Sequence, residues 1–203
     1  MFEGTDAQRE RYDTPAGAWM FFRRFLRHPT TVASVVPSSR FLTRRLADVA
    51  CMGRPHTVVE LGPGTGCTTR ALLRVLPRDT RLLAIDLDEQ FVDNLRGEQD
   101  ERLIVHHGSA ERLHDILHMH GLPAPDLVMS GIPFSTMPPE CARRIAHQVW
   151  TGLAPGGRFL AYQMRGHVAR FAREWMGRPQ VRIEVRNVPP MRIYCWSKPI
   201  ACT

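Results

Sequence analysis

The sequence is short of lysine, of long apolar runs and of paired cysteines. Lys198 is the only lysine among 27 basic residues. No apolar run approaches the roughly 18 residues of a membrane-spanning helix, and the N-terminus lacks the apolar core of a secretory signal. The five cysteines, at positions 51, 67, 141, 195 and 202, show no C-x-x-C or Cys/His spacing for a metal. We therefore expect no membrane span, no metal, and a cytoplasmic protein with reduced thiols.

What the chain has in quantity is arginine. Arginine supplies 26 of the 27 basic residues, and the net charge is +7 over 203 residues. Because arginine pairs bidentately with phosphate, we expect an anionic partner, either nucleic acid or a phospholipid surface. An arginine-biased codon usage would explain the scarcity of lysine but not the positive balance. The length suits one domain with a large core.

A glycine-rich stretch at residues 58–66, V-V-E-L-G-P-G-T-G, organises the chain. Its first residues predict a short buried strand, and residues 65–76 carry apolar side chains at helical spacing. A strand, a glycine turn and a helix N-terminus gather backbone N–H groups around a space suited to an adenosine-bearing or anionic ligand. The dinucleotide fingerprint G-x-G-x-x-G would need glycine at position 67, where the chain has Cys67.

The pattern E-x-G-x-G-x-G, from Glu60 to Gly66, resembles motif I of the class I S-adenosylmethionine-dependent methyltransferases. Glu60 would be buried at the end of its strand and would need donors, which backbone amides and the ammonium of the cofactor would supply. Asp86, at the end of the next predicted strand, is placed to accept from both ribose hydroxyls. The alternative is a doubly wound domain that binds another nucleotide, or none.

Strands and helices alternate along the rest of the chain. We expect strands at residues 81–86, 102–106, 124–130 and 157–163, and helices at 39–50, 88–95, 139–152 and 166–176. Two alternating segments, 181–188 and 191–197, predict a hairpin joined by Pro189 and Pro190. The expected fold is α/β: a Rossmann-like class I methyltransferase with a mostly parallel seven-stranded sheet and a C-terminal antiparallel hairpin.

The methyltransferase resemblance implies a set of cofactor contacts. The turn after the third strand would cover the adenine, where the family often has an acidic residue and this chain has Ser109, a weaker partner. The segment before the first strand would help to close the site. The expected residues are Ser39, Glu60, Gly62, Gly64, Thr65, Gly66, Asp86, Leu87, Ser109, Ala110 and Ser130, which would hold S-adenosylmethionine and its product S-adenosylhomocysteine.

The segment 15–27 predicts an amphipathic helix ahead of the main domain. At 100° per residue its aromatic side chains share one broad face, and its three arginines lie opposite. Such a helix suits the plane of a membrane interface, although a helix packed on its own domain is the commoner case. We expect residues 1–28 to form a helix that binds an anionic phospholipid surface, and residues 29–203 to form the methyltransferase domain.

The segment 130–134, S-G-I-P-F, follows the fourth predicted strand, across the crevice from the glycine loop. In the adenine N6-dimethyltransferases of ribosomal RNA the motif is Asn-x-Pro-Phe or Asn-x-Pro-Tyr; the Asn side chain and a backbone carbonyl hold the amine, and the ring stacks on the base. Gly131 stands where that Asn would, so the side-chain carbonyl is missing, while Phe134 keeps the aromatic position. We expect Gly131, Ile132 and Pro133 to form the catalytic segment, with a backbone carbonyl orienting the amine.

The combination of motifs resembles the bacterial phospholipid N-methyltransferases of the soluble class that methylates phosphatidylethanolamine. The matching stretches are V-P-S-S-R from 36, the glycine stretch, V-M-S-G-I-P from 128, L-A-P-G-G from 153 and R-N-V-P-P-M-R from 186. The resemblance implies N-methylation of phosphatidylethanolamine, with its mono- and dimethyl derivatives as further acceptors. It also implies a cytoplasmic enzyme associated peripherally with the inner face of the membrane.

Several residues are candidates for contact with the substrate. Arg186 and Arg192 would bind the lipid phosphate, Tyr12 and Tyr194 would take the proton of the amine, and Phe134 would lie against the acceptor. Phe134 stands where an aliphatic residue is expected, which leaves the exact amine open.

Two other functions are consistent with parts of the sequence. A methyltransferase of ribosomal RNA or another nucleic acid is favoured by the positive charge, but is opposed by Gly131 and by the lack of the small helical domain that RNA dimethylases append. A non-catalytic membrane-binding protein is opposed by the intact set of Glu60, the three glycines and Asp86.

Overall fold

A computed structural model describes residues 40–51, 53–187 and 189–200. Within this part of the chain, seven strands form one sheet with helices on both faces. The strands are β1 Thr57–Leu61, β2 Arg81–Asp86, β3 Leu103–His107, β4 Leu127–Ser130, β5 Arg158–Gln163, β6 Gln180–Glu184 and β7 Met191–Ser197. The helices are α1 Arg40–Cys51, α2 Cys67–Val75, α3 Glu89–Arg96, α4 Leu113–Met119, α5 Pro139–Gly152 and α6 His167–Met176, with a 3-10 turn at Ala110–Arg112.

The strand order is β3-β2-β1-β4-β5-β7-β6. The first five strands pair in parallel, whereas β7 runs antiparallel between β5 and β6. This confirms the predicted mostly parallel seven-stranded sheet with an antiparallel terminal hairpin. The order reverses between β1 and β4, so the ligand crevice of such a sheet lies at the carboxyl ends of these two strands.

Strand β1 is buried along its whole length, because helices cover both faces of the sheet. One core layer packs α1 and α2 against the sheet, around Leu46 and Leu72. The other layer includes side chains of α4, α5 and α6, around Leu113 and Ile145. No described helix is long and apolar enough to cross a bilayer.

Most element boundaries shift by one to three residues from the sequence expectation, and two of the shifts have a clear cause. Helix α2 begins at Cys67 rather than at Thr65, because the left-handed Gly66 stands at its N-cap position. Strand β6 ends at Glu184 rather than at residue 188, because the buried Glu184 carboxylate accepts from the backbone N–H of Arg186 at 3.1 Å and turns the chain. The prolines therefore belong to a longer connection between β6 and β7.

Candidate active site

The loop between β1 and α2 is made of glycines in the left-handed region. Gly62, Gly64 and Gly66 have φ angles of 70°, 56° and 78°, which other residues adopt only with strain. Two of the three also lack room for a side chain: a Cβ would lie 3.0 Å from the Ile132 side chain at Gly62, and 2.6 Å from the Leu95 side chain at Gly66. The loop can therefore approach both β4 and a ligand closely.

Glu60 is completely buried one residue before the end of β1. Its Oε2 accepts a hydrogen bond from the Thr69 hydroxyl of α2 at 2.6 Å, whereas its Oε1 is buried without a hydrogen-bond partner. Burial raises the pKa of Glu60 from 4.5 to about 7, an effect that the Thr69 hydrogen bond opposes and the nearby Asp86 charge reinforces. The sequence predicted backbone amides as donors, but a helix hydroxyl takes that place. An unpartnered buried acceptor fits a cationic group of a ligand, such as the ammonium of S-adenosylmethionine.

Asp86 ends β2 beside the glycine loop, and only 3% of it is exposed. Its Oδ2 accepts from the Gly64 N–H at 3.1 Å, and its Oδ1 accepts from the Asp88 N–H at 2.9 Å. Burial raises the pKa of Asp86, and these backbone hydrogen bonds oppose the rise. The carboxylate thus braces the loop and also lines the adjoining cleft. Its contact with ribose hydroxyls stays a prediction.

A cleft of about 620 Å³, its open mouth included, lies at the carboxyl end of the sheet. Seven of the residues expected from the sequence line it: Gly62, Asp86, Leu87, Ser109, Ala110, Ile132 and Pro133. Further lining residues that the sequence did not indicate are Ile85, Gly108, Glu111, Thr136, Met137, Pro138, Cys141 and Ile145. The cleft therefore brings the loop after β2, the turn after β3 and the segment after β4 to one place.

The turn after β3 carries a carboxylate that sequence reasoning missed. Ser109, at the position where the family often has an acid, accepts from the Glu111 N–H at 3.2 Å and donates to Glu111 Oε2 at 3.4 Å. Glu111 Oε1 accepts from the Arg144 guanidinium at 2.6 Å. The acidic side chain in this wall of the cleft thus stands two positions after the expected one, at Glu111 instead of Ser109. The sequence A-E-R that follows Ser109 could have indicated it.

The segment after β4 is packed too closely to carry a side chain at position 131. A Cβ on Gly131 would lie 2.6 Å from the Tyr162 hydroxyl oxygen and 3.0 Å from the Gly62 carbonyl oxygen. Next to it, the Ile132 carbonyl accepts from the Gln163 amide at 2.5 Å and from the Phe134 N–H at 3.0 Å. An asparagine in place of Gly131 could not enter without displacing its neighbours.

The aromatic side chain of this segment does not face the cleft. Phe134 is 1% exposed and packs in the core layer with Ile145 of α5, because the hydrogen bond from its N–H to the Ile132 carbonyl tightens the chain and directs the ring inward. As placed, it cannot stack on an acceptor. Ser130 is also buried, and its hydroxyl accepts from the Ile132 N–H at 3.3 Å, while Thr65 is exposed on the loop.

The other substrate candidates lie in the terminal hairpin region, apart from the cleft-lining residues. Tyr194 is buried on β7, stacked with Trp196 at 6.1 Å between ring centroids. Arg186 is engaged by Glu184 at 2.9 Å, and its guanidinium lies 4.5 Å from the centre of the Phe41 ring. Arg192 is exposed on β7. Tyr12, Ser39 and the segment 15–27 lie outside the described residues.

The cleft has the chemistry of a site for an organic cofactor. Among the residues that the structure describes, no group of three or more His, Cys, Asp or Glu side chains could hold a metal ion. Gly62 of the glycine loop and Asp86 line the cleft, whereas Glu60 is buried and is not among the lining residues. The glycine loop would fit the methionine part of S-adenosylmethionine, the unpartnered oxygen of Glu60 its ammonium, and the carboxylate of Asp86 its ribose.

Comparison with known sequences places the chain in a family. The family described as "Methyltransferase domain" matches residues 58–157. An ornithine lipid N-methyltransferase from Singulisphaera acidiphila is 32% identical over 179 residues, which cover 87% of this chain and 93% of that protein. The chain therefore belongs to the class I S-adenosylmethionine-dependent methyltransferases, and its cofactor is S-adenosylmethionine.

Two further similarities are more limited. The ribosomal RNA small subunit methyltransferase A of Laribacter hongkongensis is 38% identical over 85 residues, 37% of this chain and only 31% of that protein. The structure of 1,6-didemethyltoxoflavin-N1-methyltransferase from Burkholderia thailandensis, with bound S-adenosylhomocysteine, aligns with a TM-score of 0.68 at 17% identity, over 92% of this chain and 91% of that one. The similarity to the ribosomal RNA methyltransferase covers less than half of either chain. The similarity to the toxoflavin methyltransferase structure shows the shared fold.

Proposed function

We propose that this methyltransferase N-methylates the amine headgroup of an aminophospholipid, phosphatidylethanolamine and its mono- and dimethyl derivatives, at a membrane surface. Similarity to an ornithine lipid N-methyltransferase over nearly the whole chain supports a lipid amine as acceptor. The relatives named for ribosomal RNA match only part of the chain. Ornithine lipid, which also carries a primary amine, is the alternative acceptor within the same chemical class.

The observation that carries the proposal is the absence of space at Gly131. An enzyme that recognises adenine N6 through Asn-x-Pro-Phe needs the amide at that position, and here the Tyr162 hydroxyl and the Gly62 carbonyl occupy the space. The ring of Phe134, which would stack on a base, is buried in the core. Both features count against a nucleobase acceptor and are compatible with a flexible aliphatic amine, which needs no stacking surface.

The residues of the chain divide the work of the reaction. When bound, S-adenosylmethionine supplies a methyl group already activated on a sulfonium, so alignment of the acceptor is most of what the protein must add. Glu60 would hold the ammonium of the cofactor and Asp86 the ribose, with Leu87, Ser109 and Ala110 along the adenine. An aliphatic ammonium titrates near ~10.4 in water, and burial in the cleft disfavours its charged form, which favours the neutral amine that reacts.

The membrane contact is assigned to the N-terminal segment. Residues 15–27 combine aromatic side chains with three arginines and no acidic residue. A helix of this composition gains from burial of apolar area and from attraction to anionic lipid. We assign residues 1–28 to membrane binding and residues 29–203 to the methyltransferase domain, at the cytoplasmic face of the membrane. The exposed Arg192 is the better candidate for the lipid phosphate, because Arg186 already pairs with Glu184.

A transfer experiment tests the function directly. The protein is incubated with methyl-labelled S-adenosylmethionine and a panel of vesicles that contain phosphatidylethanolamine, its mono- and dimethyl derivatives or ornithine lipid, with ribosomal RNA as a further acceptor. We expect the label to enter the organic phase with phosphatidylethanolamine. Label recovered only in RNA would favour the nucleic-acid alternative, and no label in any acceptor would favour a non-catalytic membrane-binding protein.

A further inference from the structure

The amine that accepts the methyl group needs a hydrogen-bond acceptor to aim its lone pair, and the expected acceptors are missing or occupied. Gly131 has no side chain. The Ile132 carbonyl already accepts from the Gln163 amide and from the Phe134 N–H, and a carbonyl oxygen has two lone pairs. The hydroxyl of Ser130, the residue before Gly131, already accepts from the Ile132 N–H. The segment after β4 therefore offers little to an incoming amine by itself.

The Tyr162 hydroxyl lies where the missing side chain would begin. Tyr162 is on β5, the strand that pairs with β4, and its hydroxyl oxygen is 2.6 Å from the position of a Cβ on Gly131. The same Cβ position is 3.0 Å from the carbonyl oxygen of Gly62, a residue that lines the cleft. The phenol thus reaches across from β5 to the narrow space between the glycine loop and the end of β4. Methyl donor and acceptor must meet beside this loop.

The surroundings of the phenol keep it neutral. Burial raises the pKa of Tyr162 well above its ordinary value; the charge of Glu60 adds to the rise, and a hydrogen bond with Thr68 opposes it. A hydrogen bond that lowers the pKa of a phenol is one that its oxygen accepts, so the Thr68 hydroxyl donates to Tyr162. The neutral phenol oxygen retains a second lone pair for another donor. Tyr162 is therefore suited to accept from an amine N–H and unsuited to act as a general base.

We propose that the Tyr162 hydroxyl is the acceptor that holds the substrate amine, in the place of the side-chain amide that Gly131 lacks. This rests on the proposed function, because it assumes an amine acceptor. One N–H of the amine donates to the Tyr162 oxygen, which directs the nitrogen lone pair toward the space beside the glycine loop. The close packing at Gly131 follows from this arrangement, since any side chain there would displace the hydroxyl.

Tyr162→Phe is the test, because it keeps the buried ring and removes one atom. We expect kcat with saturating vesicles to fall about 10- to 100-fold, the scale of a misaligned acceptor. The affinity for S-adenosylmethionine by calorimetry should stay within about twofold, and the melting temperature should stay within a few degrees. The matched control is Thr80→Val. It also removes a buried hydroxyl, one that donates to the Pro55 carbonyl at 2.7 Å, but next to the amino end of β2, away from the cleft. It should lower the melting temperature and leave kcat unchanged.

The outcomes separate this inference from the proposed function. Whether the wild type labels lipid decides the function, whereas the ratio of variant to wild type, measured on whichever amine the wild type methylates, decides the role of Tyr162. A Tyr162→Phe variant with kcat within about twofold of the wild type would overturn the inference. So would a variant whose activity falls only in step with its cofactor affinity or its melting temperature, because the hydroxyl would then be structural.

Discussion

Glu60→Gln tests the centre of the site through two measurements that should move in opposite directions. In the protein without cofactor, burial raises the pKa of Glu60 from 4.5 to about 7. Between these values the folded chain keeps a proton that the unfolded chain has released, so stability falls as the pH rises through this window. The difference between the two pKa values corresponds to about 3 kcal/mol of folding stability, which is lost in full above pH 7.

Glutamine keeps the shape of Glu60 and the contact with Thr69 but does not titrate. Relative to the wild type, the free energy of unfolding of Glu60→Gln should therefore rise by about 2.5 kcal/mol between pH 5 and pH 8. Urea unfolding of both proteins without cofactor, at four pH values across this range, measures the change. The exposed Glu101→Gln removes a negative charge elsewhere and should follow the wild type at every pH.

Cofactor binding should show the reverse. The unpartnered Oε1 of Glu60 would accept from the ammonium of the cofactor, and a hydrogen bond between charged groups contributes about 1.5–3 kcal/mol. Glu60→Gln should accordingly bind S-adenosylmethionine about 10- to 150-fold more weakly at pH 8. Wild-type affinity should rise with pH through about 7, as the carboxylate forms. A constant stability difference between the two proteins at all pH values, or equal cofactor affinity at pH 8, would refute the reasoning.

Three other perturbations address the rest of the site and the membrane binding proposed for residues 15–27. Asp86→Ala should weaken cofactor binding by about 1.5–3 kcal/mol in calorimetry, with part of the loss arising from the Gly64 N–H that it leaves unpaired; unchanged affinity in a folded variant would contradict the assignment. Gly131→Asn should not improve lipid methylation and should lower it, because its Cβ meets the Tyr162 hydroxyl; faster labelling of lipid would contradict the packing argument. In vesicle co-sedimentation at low salt, binding to anionic lipid should weaken by roughly 3 kcal/mol when glutamine replaces Arg23, Arg24 and Arg27. Replacement of the exposed arginines 170, 173 and 178 by glutamine is the control, because it removes the same charge. If both triple variants lost the same affinity, net charge alone would explain the binding and the N-terminal segment would have no special role.

An element could be predicted from the sequence where the apolar residues of its own segment define it. The range 139–152 predicted for α5 agrees with the observed Pro139–Gly152, and the buried β1 agrees with the run that precedes the glycine loop. The end of β6 could not be predicted in this way. It depends on Glu184, which turns the chain by accepting from the Arg186 N–H. The same buried carboxylate pairs with Arg45 of α1 at 3.3 Å, a partner far away in the chain.

In the site, likewise, residues defined by a short motif could be predicted, whereas contacts with residues far away in the chain could not. The glycines and Asp86 are recognisable because their roles follow from backbone conformation and from position at a strand end, which a short motif encodes. The inward direction of Phe134 and the engagement of the Ile132 carbonyl depend on a tight turn and on Gln163, which stands 31 residues further along the chain. Sequence spacing does not report such contacts, and the motif alone suggested an aromatic ring at the acceptor.

Gly131 and Tyr162 show how two unremarkable residues can determine one property together. The parallel strands β4 and β5 pair Ser130 with Ala161, so the residues that follow these two, Gly131 and Tyr162, are neighbours. A long side chain at 162 requires glycine at 131, and an asparagine at 131 would require a small residue at 162, because both compete for the space beside the Gly62 carbonyl. Glycine at 131 alone would suggest a vacant acceptor position. Read with the tyrosine, it indicates that the hydrogen-bonding group has moved to the adjacent strand and changed from an amide to a hydroxyl, which suits an aliphatic amine that presents no ring to stack.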